Sequence, residues 1–277
     1  MVQKLTGLSL NHLRGSLDLK QQPRDSVANH SLCRSSSGLV RHCAGPGGLK
    51  SEHLSHRCER VATRYRLYVV PSCPPQSAFL VGRSEGPAIL DGIRATLRFD
   101  KAIPEPKTAK IALQGYSGGS HGSGWAAQLA STYAPELNIV GWAAGGLPAN
   151  VMINSEYLDG TISAGFTFLG NKGLGHSWPD WRRFYDKYAK DNVTELYKRL
   201  STGEICVGQI APLAFLHFEN SFTLANINEK PIPLHVSDRE ILGKHEPALS
   251  KFPAWLVHSV QDEVVPYNQS KHYADSQ

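Results

Sequence analysis

The stretch GYSGG, residues 115–119, places Ser117 in the G-x-S-x-G pattern. In that pattern a sharp turn between a strand and a helix exposes a serine hydroxyl that can attack an acyl carbon. Because a serine hydroxyl is a poor nucleophile at neutral pH, the reaction also needs a histidine base, a carboxylate and oxyanion donors. We therefore take Ser117 as the candidate nucleophile and the backbone N–H of Gly118 as a candidate oxyanion donor. The alternative is a glycine-rich turn with a surface serine.

Asp262 is the candidate acid that would orient the base. It lies in a charged turn after the apolar run FPAWLV, far downstream of Ser117. The α/β-hydrolases present their acid after the nucleophile in chain order and before the histidine. The neighbouring Glu263 could compete for this role, and a structural salt bridge is the alternative use of Asp262.

The histidine base is the difficult member of the set. Only His272 follows Asp262, ten positions on, within QSKHYADSQ, which predicts an amphipathic helix. The fold usually places a helix and another strand between acid and base, so His272 comes too early. His258 precedes the acid and His121 lies on the helix after the serine, and neither has the usual route to Ser117. We therefore expect a nucleophile and an acid without an evident base.

The elements around these residues alternate between strand and helix. The runs RYRLYVV, AKIALQ and NIVGWAAGG predict strands, and SHGSGWAAQLASTYA predicts the helix after the serine. The segment GPAILDGIRATLRF places Ile89, Leu90, Ile93 and Leu97 on one helical face. Such alternation indicates an α/β fold with a mostly parallel sheet.

Between about Leu147 and Leu249 the alternation fades into helical patterns. PDWRRFYDKYAKDNVTELYKRLSTG predicts an amphipathic helix, and EICVGQIAPLAFLHFEN predicts a second one that is interrupted at Pro212. Helical material inserted into such a sheet is commonly a cap over the site. A second packing layer with no gating role is the alternative.

Composition limits the other classes of function. The formal charge of +5 is scattered, without the dense basic stripe of a nucleic-acid-binding protein. No apolar run approaches a membrane-spanning length, and the start lacks the apolar region of a secretory signal. Residues 1–64 are rich in Ser, Arg, His and Gly without periodicity, so we expect an irregular segment. The five cysteines lack metal-type spacing, and we expect no metal or cofactor.

The block GYSGGSHGSGWAAQLASTYAPELNIVGWAAGGLPANV resembles the serine turn and following strand of the fungal secretory lipases. SAFLVGRSEGPAILDGIRATLRF upstream and the acid turn HSVQDEVVPYNQS are also similar to that family, so the resemblance runs from Tyr65 to Tyr273. It implies an α/β-hydrolase fold with a helical cap, secretion, and hydrolysis of triacylglycerol esters at a lipid–water interface through an acyl-enzyme. By position, Ser117 matches the nucleophile, Gly118 an oxyanion donor and Asp262 the acid.

The departures from the family are at the two ends of the chain. Residues 1–64 do not resemble the family's opening section, PSCPPQ replaces an acidic loop, and the family's C-terminal third is not matched. We therefore expect a divergent segment at 1–64, hydrolase core at 65–147, a helical cap at 148–249, and a truncated core with the acid turn at 250–277. An inactive lipid-binding relative is the main alternative, and a hydrolase of peptides or thioesters is another.

Overall fold

A computed structural model describes the backbone of residues 2–4 and, with side chains, residues 78–98, 103, 105–202, 210–246, 249 and 252–277. The predicted strand RYRLYVV, the PSCPPQ segment, the five cysteines and most of residues 1–64 lie outside the described residues.

A four-stranded sheet, in the order β1-β4-β3-β2, positions the candidate site. Its strands are β1 (Val2–Lys4), β2 (Ile111–Tyr116), β3 (Ile139–Gly145) and β4 (Ala254–Val257). β2, β3 and β4 are parallel, and β1 pairs with β4 in the antiparallel sense. The predicted, mostly parallel sheet is thus confirmed, and the carboxyl ends of three neighbouring strands meet at one edge. The short β1 is a strand that the sequence did not predict.

Two helices, α1 (Gly82–Leu97) and α2 (Gly118–Tyr133), pack against each other and contribute to the core beside the sheet. Ile89, Leu90 and Ile93 are buried on α1, which confirms the predicted helical face. The Trp125 ring of α2 is fully buried where the two helices meet. A Cβ atom at Gly82 would lie 1.9 Å from the Trp125 indole nitrogen, so only glycine permits this approach.

A layer of helices follows β3, as the sequence predicted for this part of the chain. It comprises α3 (Val151–Leu158), α4 (Gly165–Ser177), α5 (Pro179–Tyr188), α6 (Asp191–Thr202) and α7 (Pro231–Arg239), and the chain then returns through β4 to α8 (Tyr267–Ser276). The helical layer has its own core, which includes Phe168, Trp181, Tyr185 and Phe218. The division of the chain into core and cap domains stays a prediction.

The helical layer differs from the sequence prediction in two places. The predicted single helix over PDWRRFYDKYAKDNVTELYKRLSTG is broken between α5 and α6, where Ala189 forms a β-bridge with Phe222. The backbone N–H of Lys190 also donates to the Ser221 carbonyl over 3.1 Å. The helix predicted over EICVGQIAPLAFLHFEN is wrong in its described part, where the chain makes only the 3-10 turn Ala211–Leu213 before the next turn at Glu219–Ser221.

Candidate active site

Ser117 occupies a strained turn between β2 and α2. Its backbone has φ 54° and ψ −125°, a conformation that L residues rarely adopt and that clusters at functional sites. The turn is held by the Ser117 N–H, which donates to the Gly145 carbonyl over 2.8 Å. The Ser117 carbonyl in turn accepts from the N–H groups of Ser120 and His121 and from the Ser120 hydroxyl. Backbone bonds and the Ser120 hydroxyl therefore hold Ser117, which is partly exposed.

Gly115 lets the turn close around the serine, and Gly118 begins the helix that follows it. A Cβ atom at Gly115 would lie 2.0 Å from the Gly119 carbonyl oxygen, so strand and helix approach too closely for any side chain there. Gly118 is the first residue of α2, and an N–H at that position has no carbonyl partner within its helix. The positive end of the helix dipole lies at the same place, so an anionic oxygen would be stabilised beside Gly118.

Asp262 lies in the turn after β4. Its Oδ1 accepts the backbone N–H groups of Val264 and Val265, each over 2.9 Å. Its backbone carbonyl accepts the hydroxyl of Tyr157, on α3, over 2.8 Å. The side chain is 14% exposed. A Cβ atom on Gly146, which has φ +55°, would lie 3.6 Å from Oδ2, so this oxygen faces the chain just beyond β3.

The structure brings Ser117 and Asp262 to the same edge of the sheet, on either side of the end of β3. Ser117 bonds to Gly145, the last residue of β3, and Asp262 faces Gly146, the residue that follows. The competing carboxylate, Glu263, is exposed. The catalytic roles of Ser117, Gly118 and Asp262 stay predictions.

None of the described histidines hydrogen-bonds the Ser117 hydroxyl. His121 is fully buried beneath the serine turn, with Nδ1 2.8 Å from Glu85 Oε2 and Nε2 accepting the Trp125 indole N–H over 3.2 Å. His272 lies on the exposed part of α8. His121 contacts Ser117 through its backbone N–H and not through its ring. That the chain lacks an evident base stays a prediction.

His258 makes a contact that the sequence analysis missed. It is buried, and its Nε2 lies 3.3 Å from Asp262 Oδ2 and 2.9 Å from the Val265 carbonyl oxygen. The spacing of four residues between histidine and aspartate, directly after an apolar strand, is the signal that could have indicated this pair.

Exposed apolar side chains lie next to the serine and the aspartate. Tyr116 is 69% exposed and Val260 is 65% exposed, while Ile153 and Tyr157 lie one turn apart on α3 and are each more than 40% exposed. Tyr116 precedes Ser117, Val260 lies two positions before Asp262, and Tyr157 bonds to the Asp262 carbonyl. We call these three exposed side chains the apolar rim.

The helical layer contains a small cavity between α3, α4 and α5. Its lining includes Phe166, Trp181, Asn171 and Leu158, and its volume of about 20 Å³ suffices for roughly one water molecule. Within the part of the chain that the structure describes, no helix is long and apolar enough to cross a bilayer. The same residues contain no cluster of three metal-ligating side chains of the His, Cys, Asp or Glu type.

Comparison with known proteins identifies relatives over the same region. The family model of the secretory lipases matches residues 65–277. Lipase A of Moesziomyces aphidis is 35% identical over 209 residues, which cover 73% of this chain and 44% of that protein. Secreted triacylglycerol lipase LIP4 of Malassezia globosa is 35% identical over 211 residues, with the same coverage of both chains. The chain therefore spans less than half the length of these relatives.

Solved structures agree with this relationship. The closed state of Candida antarctica lipase A matches with a TM-score of 0.67 and 33% identity, over 72% of this chain and 47% of that one. The rice cell wall degrading esterase LipA of Xanthomonas oryzae matches with a TM-score of 0.57 at 19% identity, over 72% of this chain and 55% of that one. Together with the parallel sheet, these matches confirm the predicted α/β-hydrolase fold.

Proposed function

This chain belongs to the secretory lipase family, and on that premise we propose that it is a serine lipase or carboxylesterase acting on triacylglycerol-type esters. The observation that carries the proposal is the pairing of a strained, partly exposed Ser117 with the Asp262 carboxylate across the end of β3. The apolar rim, with Tyr116 and Val260 exposed, suits a substrate with a hydrocarbon chain. Because relatives are named as secreted, we also propose that the protein acts outside the cell.

The proposed reaction has two steps. Ser117 Oγ attacks the ester carbonyl carbon and loses its proton to a base, and the carbonyl oxygen becomes an oxyanion that accepts the Gly118 N–H. The base returns that proton to the departing alkoxide, which leaves as an alcohol, and the acyl group remains on Ser117 as an acyl-serine. Water then attacks the acyl-serine by the same route and releases the carboxylic acid. Throughout, the negative charge of Asp262 would orient the base and stabilise its protonated form.

The same proposal predicts weak turnover by residues 1–277 alone. None of the described histidines hydrogen-bonds the Ser117 hydroxyl, and His121 has both ring nitrogens engaged within the core. A triad acts as a unit, so a serine and an aspartate without a base in contact retain only a small part of the rate.

Chemical rescue with imidazole tests the proposed site. Hydrolysis of p-nitrophenyl butyrate and decanoate by the 277-residue protein is measured with increasing free imidazole, and the rate of imidazole alone is subtracted. We expect a rate that depends on imidazole and saturates, and that disappears in Ser117→Ala. Ser131→Ala, further along α2, is the matched control and keeps the rate. Equal rates for the unmodified protein and Ser117→Ala at every imidazole concentration would overturn the proposal.

A lipid-binding protein without turnover is the second candidate. The apolar rim favours it, because Tyr116, Tyr157 and Val260 would contact lipid whether or not Ser117 reacts. Binding to phosphatidylcholine vesicles that contain triolein, without any imidazole-dependent hydrolysis, would support this candidate over the first. Rescue with peptide anilides but not with esters would instead indicate a hydrolase of another acyl group.

A further inference from the structure

A buried histidine lies directly beneath the candidate acid, and it belongs to neither the nucleophile nor the oxyanion donor. We propose that His258 is a positioning residue that holds the turn of Asp262 so that its carboxylate faces the end of β3. The inference rests on the proposed function only where it concerns catalysis. The geometry of the turn can be tested separately.

The hydrogen bonds of His258 fix the state of its ring. A carbonyl oxygen only accepts, so Nε2, at 2.9 Å from the Val265 carbonyl, carries the proton and donates it. Nδ1 lies 2.5 Å from Ser270 Oγ and, in the neutral ring, accepts that hydroxyl proton. The side chain is only 2% exposed, so water does not compete with these partners.

These bonds hold the acid turn from both ends. The Val265 N–H donates to Asp262 Oδ1, while the Val265 carbonyl accepts from His258. Ser270 lies on α8, so one imidazole connects the acid turn with α8. It also places a ring nitrogen 3.3 Å from Asp262 Oδ2.

The consequence of losing the Nε2 donor follows from burial. Val265 is 3% exposed, so its carbonyl would have no access to replacement water. A buried carbonyl without a partner is costly, and the turn relieves that cost by opening toward solvent. Opening the turn would release the two N–H groups that hold Asp262 Oδ1 and change the direction of Oδ2.

Two amide side chains separate positioning from general packing. The amide nitrogen of Gln lies about where a histidine has Nε2, and that of Asn about where it has Nδ1. His258→Gln can therefore still donate to the Val265 carbonyl, whereas His258→Asn reaches only toward Ser270. Both variants are neutral and polar. Asn is one methylene shorter than Gln, so the amides of β3 serve as the reference that separates a general loss of packing from loss of the Val265 bond.

The experiment measures amide hydrogen exchange at Val264 and Val265 in the 277-residue protein, with amides of β3 as the internal reference. In His258→Asn we expect exchange at these two amides to accelerate about tenfold relative to β3, because local opening becomes easier. In His258→Gln the acceleration should be much smaller. Imidazole-rescued hydrolysis should fall about tenfold in kcat for His258→Asn with KM unchanged, and His258→Gln should retain most of it.

Equal exchange at Val264 and Val265 in the Asn and Gln variants would overturn the inference, and so would a loss of protection spread evenly over β3. If no variant shows rescued hydrolysis but the exchange difference appears, the proposed function fails and the positioning role stands. If rescue appears and both variants lose kcat equally, the positioning role fails and the proposed function stands.

Discussion

Two pairs of histidine and carboxylate lie near the serine turn, and they are used in opposite ways. His121 and Glu85 meet at 2.8 Å in the core under α2, with side chains 0% and 8% exposed. His258 and Asp262 meet at 3.3 Å under the acid turn, with side chains 2% and 14% exposed. In the second pair only the histidine is enclosed, and the carboxylate reaches the surface.

The two pairs also differ in how the oxygens of the carboxylate are engaged. Both oxygens of Glu85 are engaged, one by His121 and the other by the N–H of Leu80, a residue with φ +59°. Phe79, next to Leu80, lies against Gly118, the candidate oxyanion donor. The pair of His121 and Glu85, which we call the closed pair, therefore supports the segment that contacts Gly118. Asp262 uses Oδ1 to hold its own turn and leaves Oδ2 facing the site.

The largest expected effect comes from removing the charge of Asp262. In Asp262→Asn the amide oxygen can still accept the Val264 and Val265 N–H groups, so the fold is retained while the charge that stabilises a protonated base is lost. We expect imidazole-rescued hydrolysis to fall by about 10³- to 10⁴-fold, as for the aspartate of other triads. The denaturant midpoint should change little. A loss below about tenfold would contradict the assignment of Asp262 as the acid.

Substitution of Glu85 in the closed pair should lower the free energy of unfolding. In Glu85→Gln, one of the two donors, the His121 Nδ1–H or the Leu80 N–H, must face the new amide NH₂ whichever way the amide is turned. A buried donor without an acceptor costs about 1–3 kcal/mol, so the free energy of unfolding should fall by that amount. Urea unfolding measures it, and the exposed Glu229→Gln, expected to change stability by less than about 0.5 kcal/mol, is the control. Equal stabilities of the two variants would show that the closed pair is not structural.

The smallest effect is a pH dependence from a third carboxylate near His121. Glu240 is fully buried and accepts the Gly82 N–H over 2.9 Å and the Trp178 indole N–H over 2.8 Å. Burial raises the pKa of Glu240 above its ordinary 4.5, although the Trp178 indole N–H, His121 and Arg83 act in the opposite direction. Its contribution to stability is therefore complete below the unfolded pKa and declines as pH rises through the folded pKa.

Urea unfolding from pH 4 to pH 8 measures this decline as the difference between the unmodified protein and Glu240→Gln. As pH rises, the free energy of unfolding of the unmodified protein should fall relative to that of Glu240→Gln. The fall should be about 1.4 kcal/mol for each unit by which the folded pKa of Glu240 exceeds the unfolded one. A difference that moves the other way would mean that the donors outweigh burial at Glu240.

Sequence predicted those parts of the molecule in which local pattern and final structure agree. The apolar face of α1, the strands β2 and β3, and the turn at Ser117 follow from spacing within a few residues. The break at Ala189 did not, because a bridge to Phe222 overrides an amphipathic pattern that continues through it. Glu240 also escaped prediction, because its partner Gly82 is 158 positions away. The His258 contact depends on a fold of the acid turn that no periodicity encodes.

The backbone conformation of Ser117 has a consequence for the evolution of related chains. The bonds that keep it at φ 54° join its own backbone to the Gly145 carbonyl, to the Ser120 and His121 amides and to the Ser120 hydroxyl, and none of them uses the Ser117 side chain. A lineage that exchanged this serine for another small residue would still inherit the same bend and the same open edge of the sheet. The shape of this turn and the reactivity of its serine can therefore be lost at different times.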